Sequence, residues 1–162
     1  MTRRIKSKIL DCEGTKCVKR KLIENGDLKF FFNSLDYSKQ LNQDPTGHSS
    51  RSVSSLPNPS PSNLYLENGF ISKPSMIKSL KSGFLVTELM GSSINMTNGD
   101  YSRGASGFWI ENGEIAFPIS EVTIADNLLN IFANIIPAND LEFNFGTNAP
   151  SCLVENMTVA GI

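Results

Sequence analysis

The chain has a single histidine, His48, and only three cysteines among its 162 residues. Cys12, Cys17 and Cys152 are odd in number and widely spaced, so the sequence indicates no disulfide framework. A closed zinc site needs about four thiolate or imidazole ligands. These residues could supply that number only if three distant segments folded together. The sequence therefore predicts no metal site within this chain.

Long apolar runs and an excess of basic residues are also missing. No run approaches the ~20 apolar residues that a membrane-spanning helix requires. Asp11, Glu13 and Lys16 interrupt the apolar residues where a secretory signal would lie. The formal net charge is -1, whereas broad attraction to nucleic acid needs an excess of Lys and Arg. We therefore expect a cytoplasmic protein without a membrane or nucleic-acid partner.

The motifs of several enzyme classes do not occur in the sequence. It has no His-Glu-x-x-His segment, no glycine-rich phosphate loop ending in Lys-Ser/Thr, and no Gly-x-Ser-x-Gly elbow. His48 lies in a polar stretch with no neighbouring carboxylate, which leaves a histidine-dependent catalytic dyad unsupported. We predict a histidine that faces solvent or pins a loop. A zinc peptidase built on His48 and the cysteines is the enzyme alternative.

Turn residues divide the chain into short elements. Asn25-Gly26 and Asn112-Gly113 each predict a hairpin, because both positions of such a turn tolerate positive φ. Capping residues and an early proline predict helices over 34–41, 74–80 and 127–135. The apolar patterns predict strands at 17–23, 28–32, 63–67, 84–89, 108–110, 114–119, 141–145 and 152–159.

Two polar stretches are predicted to be loops, namely Asn42–Asn63, which is rich in Ser and Pro, and Gly91–Gly107. With few helices and recurrent Asn-Gly turns, the predicted fold class is α+β. It is β-rich, with mostly antiparallel sheet and a few short helices. The length of 162 residues suits one domain, so we expect residues 1–162 to form a single unit.

The most distinctive segment is Asn98–Trp109, where glycines allow close backbone approach. Asp100 and Arg103 could pair across a turn. Residue types alone leave two accounts open: Arg103 fixes the loop, or the loop lies in a cleft and holds a peptide or a partner subunit. The candidate cleft residues are Asp100, Tyr101, Ser102, Arg103 and Gly104.

The same region carries a resemblance to a known family. Phe84–Gly91 followed by Asn98–Ile115 closely resembles the C-terminal signature of PmbA/TldE proteins of the TldD/PmbA metalloprotease family. The likeness extends over nearly the whole chain from about Leu10, and its further segments are 10–15, 46–48, 118, 121–125, 127–128 and 157–161.

The resemblance implies a bacterial, intracellular pair in which a TldD-like subunit binds zinc and a PmbA/TldE subunit completes a peptidase for small unfolded peptides. The TldD metal motifs, His-Glu-x-x-x-His and Gly-x-Cys-Gly-Lys, do not occur here. The corresponding cysteine region, Gly146–Leu153, has no glycine cradle around Cys152. Family members also have a long N-terminal region, and Phe30–Phe32 are candidates for a surface where it would pack.

The leading hypothesis is a non-catalytic subunit, or a shortened remnant of one, in a heterodimer with a TldD-like subunit and its peptide substrate. No cofactor is expected in this chain, and zinc is expected in the partner. The alternatives are a protein-binding modulator resembling gyrase modulators and a non-functional fragment of a split reading frame.

Overall fold

The computed structural model describes residues 4–161, apart from the side chain of Ser92. The chain divides into two compact units. Unit 1 comprises Met1–Tyr65 and Phe143–Asn148, and unit 2 comprises Leu66–Glu142 and Ala149–Ile162. The described part consists mainly of antiparallel strands with three short helices. The predicted fold class is therefore confirmed.

The first hairpin of unit 1 forms where Asn25-Gly26 predicts it. Strand β1 (Ile23–Glu24) pairs antiparallel with β2 (Asp27–Leu28). Asn25 and Gly26 have φ values of 54° and 85°, as a two-residue turn of this type requires. The predicted flanking strands at 17–23 and 28–32 are shorter than expected, because only the residues beside the turn find partners.

Helix α1 (Leu35–Leu41) also follows its predicted signals. The Ser34 side chain accepts a hydrogen bond from the Tyr37 N–H, as an N-cap residue does. Asn42 ends the helix in the left-handed conformation with φ 50°. These two local signals fix both ends of the helix.

The centre of unit 1 is polar. Asn33 and Thr46 are buried, and they hold each other through three hydrogen bonds. The Asn33 side chain also donates to the Asp44 carbonyl at 3.1 Å. This exchange joins the segment before α1 to the segment after it. Because every partner is satisfied, the polar pair stabilises unit 1 instead of weakening it.

The predicted loop over 42–63 contains one short strand pair. Strand β3 (Ser49–Ser50) pairs antiparallel with β4 (Asn58–Pro59). The predicted strand at 63–67 is reduced to β5 (Leu64–Tyr65), which pairs parallel with β10 (Thr147–Asn148).

Unit 2 is built on a four-stranded antiparallel sheet in the order β12-β8-β7-β6. Asn112 and Gly113, with φ values of 52° and 81°, form the predicted turn between its two central strands. The strands are β6 (Ser82–Ile94), β7 (Asp100–Glu111), β8 (Glu114–Asn127) and β12 (Thr158–Ala160).

The other elements of unit 2 are short. Helix α2 (Lys73–Ser79) is capped by Ser72, and α3 (Leu128–Ala133) begins after Asn127, one residue later than predicted. Strand β9 (Ile135–Pro137) pairs with β11 (Cys152–Val154). The predicted strand at 152–159 is split into β11 and β12, because Asn156 adopts a φ of 64° between them.

The hydrophobic core of unit 2 lies on the sheet. Ala105, Val122 and Ile124 are buried at its centre. Phe84, Val86, Tyr101, Ile119, Met157 and Val159 pack around them. The predicted apolar face of α3 does not join this core, since Leu129 is 77% and Phe132 65% exposed.

The predicted loop over 91–107 is wrong. Strand β6 continues to Ile94 and β7 begins at Asp100, so only residues 95–99 connect them. Small side chains make this possible, because they let neighbouring backbones approach closely. A Cβ atom on Gly107 would lie 2.0 Å from the Leu85 carbonyl oxygen.

The predicted strand at 141–145 is also wrong, because side chains take the backbone N–H groups that a strand would pair. In unit 2, the Leu141 N–H donates to Asn68 Oδ1 at 2.9 Å. In unit 1, the Asn144 and Phe145 N–H groups both donate to Asn148 Oδ1. Asparagine side chains commonly compete with sheet pairing in this way.

Candidate functional site

The five residues predicted to line a cleft, Asp100–Gly104, lie on strand β7 in the interior of the sheet. Strand β6 pairs with one side of β7 and β8 with the other. The backbone of β7 is therefore occupied on both sides and cannot itself take up a peptide strand. Any peptide contact must come from its side chains or from the neighbouring strands.

Asp100 and Arg103 do not pair with each other. The Asp100 carboxylate accepts from Asn98 Nδ2 at 2.7 Å, beside the β6–β7 connection. Arg103 Nη2 donates to the Leu89 carbonyl on β6 at 3.4 Å. Arg103 Nε is buried and has no hydrogen-bond partner among the described residues. Arg103 is thus directed toward strand β6.

The other three predicted cleft residues contact the core of unit 2 or the neighbouring strands. Tyr101 packs against the buried cluster around Ala105. Ser102 pairs in register with Ser93 on β6 and with Ala125 on β8. A Cβ atom on Gly104 would meet Met90 at an ordinary 3.5 Å.

Strand β6 is an edge strand of the sheet, since within residues 4–161 it pairs with β7 alone. Its second half exposes apolar side chains: Leu89 is 39%, Met90 42% and Ile94 43% exposed. A β-bulge between Met90 and Ser93 interrupts the pairing with β7. Long edges with exposed apolar residues are surfaces on which another chain can pair. Sequence reasoning missed this edge because it assigned residues 91–107 to a loop.

The two cysteine thiols of unit 1, which are possible zinc donors, make other contacts. The Cys17 thiol donates to the Gly47 carbonyl at 3.0 Å, and burial raises its pKa. The Cys12 thiol donates to Ser49 Oγ at 3.4 Å. Zinc requires thiolates. Within residues 4–161, no three His, Cys, Asp or Glu side chains group together as a metal site would need. The residues present therefore do not fit a zinc ion.

His48 is half-buried in unit 1, where its ring packs against two phenylalanine rings. The centre of the His48 ring lies 4.8 Å from that of the Phe32 ring and 5.8 Å from that of the Phe30 ring. Desolvation by burial lowers the pKa of His48, and the charge of Arg20 lowers it further. Of the three phenylalanines predicted to form a surface, only Phe31 is largely exposed, at 59%.

Asp140 and Ser151 form a compact polar contact in unit 2, next to Cys152. The Asp140 carboxylate accepts from Ser151 Oγ and from the Ser151 N–H, both at 2.7 Å. The hydroxyl bond is the main cause of a lowered pKa for Asp140. The Cys152 thiol donates to the Pro150 carbonyl at 3.3 Å.

This contact predicts a pH dependence. The pKa of Asp140 is lower in the folded than in the unfolded chain, so its ionised carboxylate stabilises the folded chain. This contribution to stability is complete at pH values above the ordinary pKa of aspartate. That contribution is lost as the pH falls through the lowered value. In Ser151→Ala, we expect the pKa to rise toward the ordinary value. An NMR titration of the Asp140 carboxyl carbon checks this, and an unchanged pKa in the variant would contradict it.

None of the helices within residues 4–161 has the length and apolar character needed to cross a membrane.

Comparison with known proteins gives the family. The sequence matches the PmbA/TldA metallopeptidase C-terminal domain over residues 1–161. It is 35% identical over 162 residues to the metalloprotease PmbA homolog of Haemophilus influenzae, covering 99% of this chain and 34% of that protein. It is 36% identical over 152 residues to the metalloprotease PmbA of Escherichia coli O157:H7, covering 93% of this chain and 32% of that protein.

The fold matches as well. The crystal structure of TldE from Thermococcus kodakarensis aligns with a TM-score of 0.85 and 29% identity, covering 95% of this chain and 36% of that one. The chain thus spans about a third of the length of the curated relatives it matches. The chain therefore belongs to the PmbA/TldD metallopeptidase family and corresponds to its C-terminal domain.

Proposed function

We propose that this chain acts as a non-catalytic part of a zinc peptidase, in a heterodimer with a TldD-like subunit that holds the zinc ion. Its membership of the family and its similarity to proteins named PmbA and TldE support the role. The proposed substrates are short, unfolded peptides. In this role the chain contributes a surface for the peptide and no catalytic group.

The observation that carries the peptide-binding part is the edge of strand β6. An extended peptide can add to such an edge by main-chain hydrogen bonds, and pockets for alternate side chains then give selectivity. The exposed apolar side chains of Leu89, Met90 and Ile94 lie along this strand. They offer contacts to every peptide with apolar residues, which suits a peptidase of broad specificity.

Arg103 gives the edge a fixed polar group. Its guanidinium reaches the Leu89 carbonyl, and its Nε atom is buried without a partner in the described part of the chain. An unsatisfied buried donor costs free energy, which an acceptor on an added strand would recover. In this proposal Arg103 is a positioning residue for the bound peptide.

The proposal is tested by peptide cleavage in a complex with a TldD-like subunit. We expect Leu89→Glu to lower kcat/KM by about tenfold or more, because a charge replaces an apolar contact along the bound peptide. Leu56→Glu, at a leucine that is 82% exposed in unit 1, is the matched control and should leave kcat/KM unchanged.

Two results would count against this function. One is the absence of a complex at about micromolar concentrations, which correspond to roughly 8 kcal/mol of binding free energy. The other is an equal loss of activity in Leu89→Glu and Leu56→Glu. In either case a protein-binding modulator or a non-functional fragment would become the better account.

A further inference from the structure

Unit 1 has a positive charge that the net charge of the whole chain conceals. It contains eleven Lys and Arg against six Asp and Glu, which gives a net charge of five positive. Unit 2 contains four Lys and Arg against ten Asp and Glu, which gives six negative. The two values cancel almost completely, so the net charge of -1 does not describe either unit.

Part of that positive charge surrounds a cleft of about 340 Å³ that lies wholly within unit 1. Four cationic side chains line it, and its lining includes no Asp or Glu. Its volume is in the range of small-molecule sites. The cationic lining residues are Arg4, Lys8, Lys19 and Arg20.

Aromatic rings contact the guanidinium groups of two of these cations, Arg4 and Arg20. The Arg4 guanidinium carbon lies 3.1 Å from the centre of the Phe143 ring and 4.9 Å from that of Tyr65. The Arg20 guanidinium carbon lies 5.8 Å from the centre of the Phe30 ring. A ring face attracts a cation but does not neutralise its charge. The guanidinium groups are thereby oriented while their charge stays available to a ligand.

One buried nitrogen atom of this cleft, Arg4 Nη1, has no hydrogen-bond partner among the described residues. Asn63 and Ser7 add polar groups to the lining, and Asn63 Nδ2 donates to Ser7 Oγ at 3.2 Å. Buried polar atoms without partners are uncommon, and a site that takes up an ion or ligand is one established reason for them.

The carboxylate that acts electrostatically on both Cys17 and His48 is Asp11. Its oxygens accept hydrogen bonds from the backbone N–H groups of Glu13, Thr15 and Ser49. Asp11 is thus committed to the backbone.

We propose that this cleft binds a small multivalent oxyanion, carrying phosphate or several carboxylate groups. Arg4 and Arg20 supply planar donors that match the oxygens of such groups, and Lys8 supplies a further positive charge. The cleft consists of residues of unit 1, whereas strand β6 belongs to unit 2, and the proposal does not depend on the peptidase role.

Calorimetric titration of the 162-residue chain at low ionic strength tests the proposal, with pyrophosphate and citrate as probes. We expect saturable binding of at least one probe, and the tighter one identifies the phosphate or the carboxylate class. Lys8→Gln and Arg20→Gln should each weaken binding about tenfold, as the loss of a charge-assisted contact does. Both side chains are exposed, so folding should be retained.

Arg51→Gln is the matched control, because Arg51 belongs to unit 1, is exposed and does not line the cleft. It should change the affinity by less than about twofold. The absence of binding by either probe up to about 10 mM would overturn the proposal. Equal weakening in all three variants would also overturn it, because the attraction would then come from the charge of unit 1 as a whole.

Discussion

Gly107→Ala should lower the free energy of unfolding of unit 2 by about 3 kcal/mol. The added Cβ atom would lie 2.0 Å from the Leu85 carbonyl oxygen and 3.1 Å from the Thr87 nitrogen. Both atoms belong to the backbone of β6, at the bulge between Val86 and Glu88, so relief requires the strands to separate. Equilibrium denaturation followed by the fluorescence of Trp109, the single tryptophan, measures the change.

Gly104→Ala is the control on the same strand. Its Cβ atom would contact Met90 at 3.5 Å, an ordinary van der Waals distance. We expect a change within about 1 kcal/mol, because the lower entropy of the unfolded chain partly offsets any crowding. Equal destabilisation by the two substitutions would show that the close approach at the bulge is not the cause.

Asp11→Ala should destabilise unit 1 by about 3 kcal/mol. The Asp11 carboxylate accepts hydrogen bonds from the N–H groups of Glu13 and Thr15, both at 2.9 Å, and from that of Ser49 at 3.2 Å. Removing this carboxylate leaves the three N–H donors unpaired and frees the turn at residues 11–15 from strand β3. Hydrogen exchange at the Thr15 and Ser49 amides checks the loss directly, since both should exchange much faster.

Asp44→Ala is the matched control for Asp11→Ala. Asp44 is exposed, and its backbone carbonyl, which alanine retains, accepts from Asn33. We expect a change within about 0.5 kcal/mol. Unaltered protection of the Thr15 amide in Asp11→Ala would contradict the role assigned to this carboxylate.

Local signals predicted the parts of the fold that local chemistry determines. The Asn25-Gly26 and Asn112-Gly113 hairpins form, because their turn geometry needs no distant partner. The helix beginning after Ser34 forms for the same reason. The segment Glu67-Asn68-Gly69 contains the same Asn-Gly pair but forms no hairpin. The Asn68 side chain instead accepts a hydrogen bond from the Leu141 N–H, and the Gly69 N–H donates to the Ala138 carbonyl.

Features that depend on distant partners were predicted less well. The glycines and serines of 91–107 indicate a loop by composition, yet they belong to long strands because β6 and β8 hold β7 on both sides. The apolar face predicted for α3 remains exposed, since periodicity shows which residues share a face but not what covers it.

The same difference between local and distant contacts applies to the candidate sites. Arg103 was predicted as a site residue, whereas the exposed edge of β6 was missed, because only residues 84–89 of that strand were predicted. The basic cleft of unit 1 was missed because its residues come from four separate segments near positions 4–8, 17–20, 48 and 62–65. The basic runs at 3–8 and 19–21 were the sequence signals that could have indicated it.

In the proposed role, this chain completes a zinc peptidase whose metal belongs to its partner. Native mass spectrometry tests this role, with the chain measured alone and mixed with a TldD-like subunit at stoichiometric zinc. We expect no zinc on the isolated chain and one zinc ion in a one-to-one complex that cleaves peptides. Zinc retained by the isolated chain and lost in His48→Ala would contradict the proposed role.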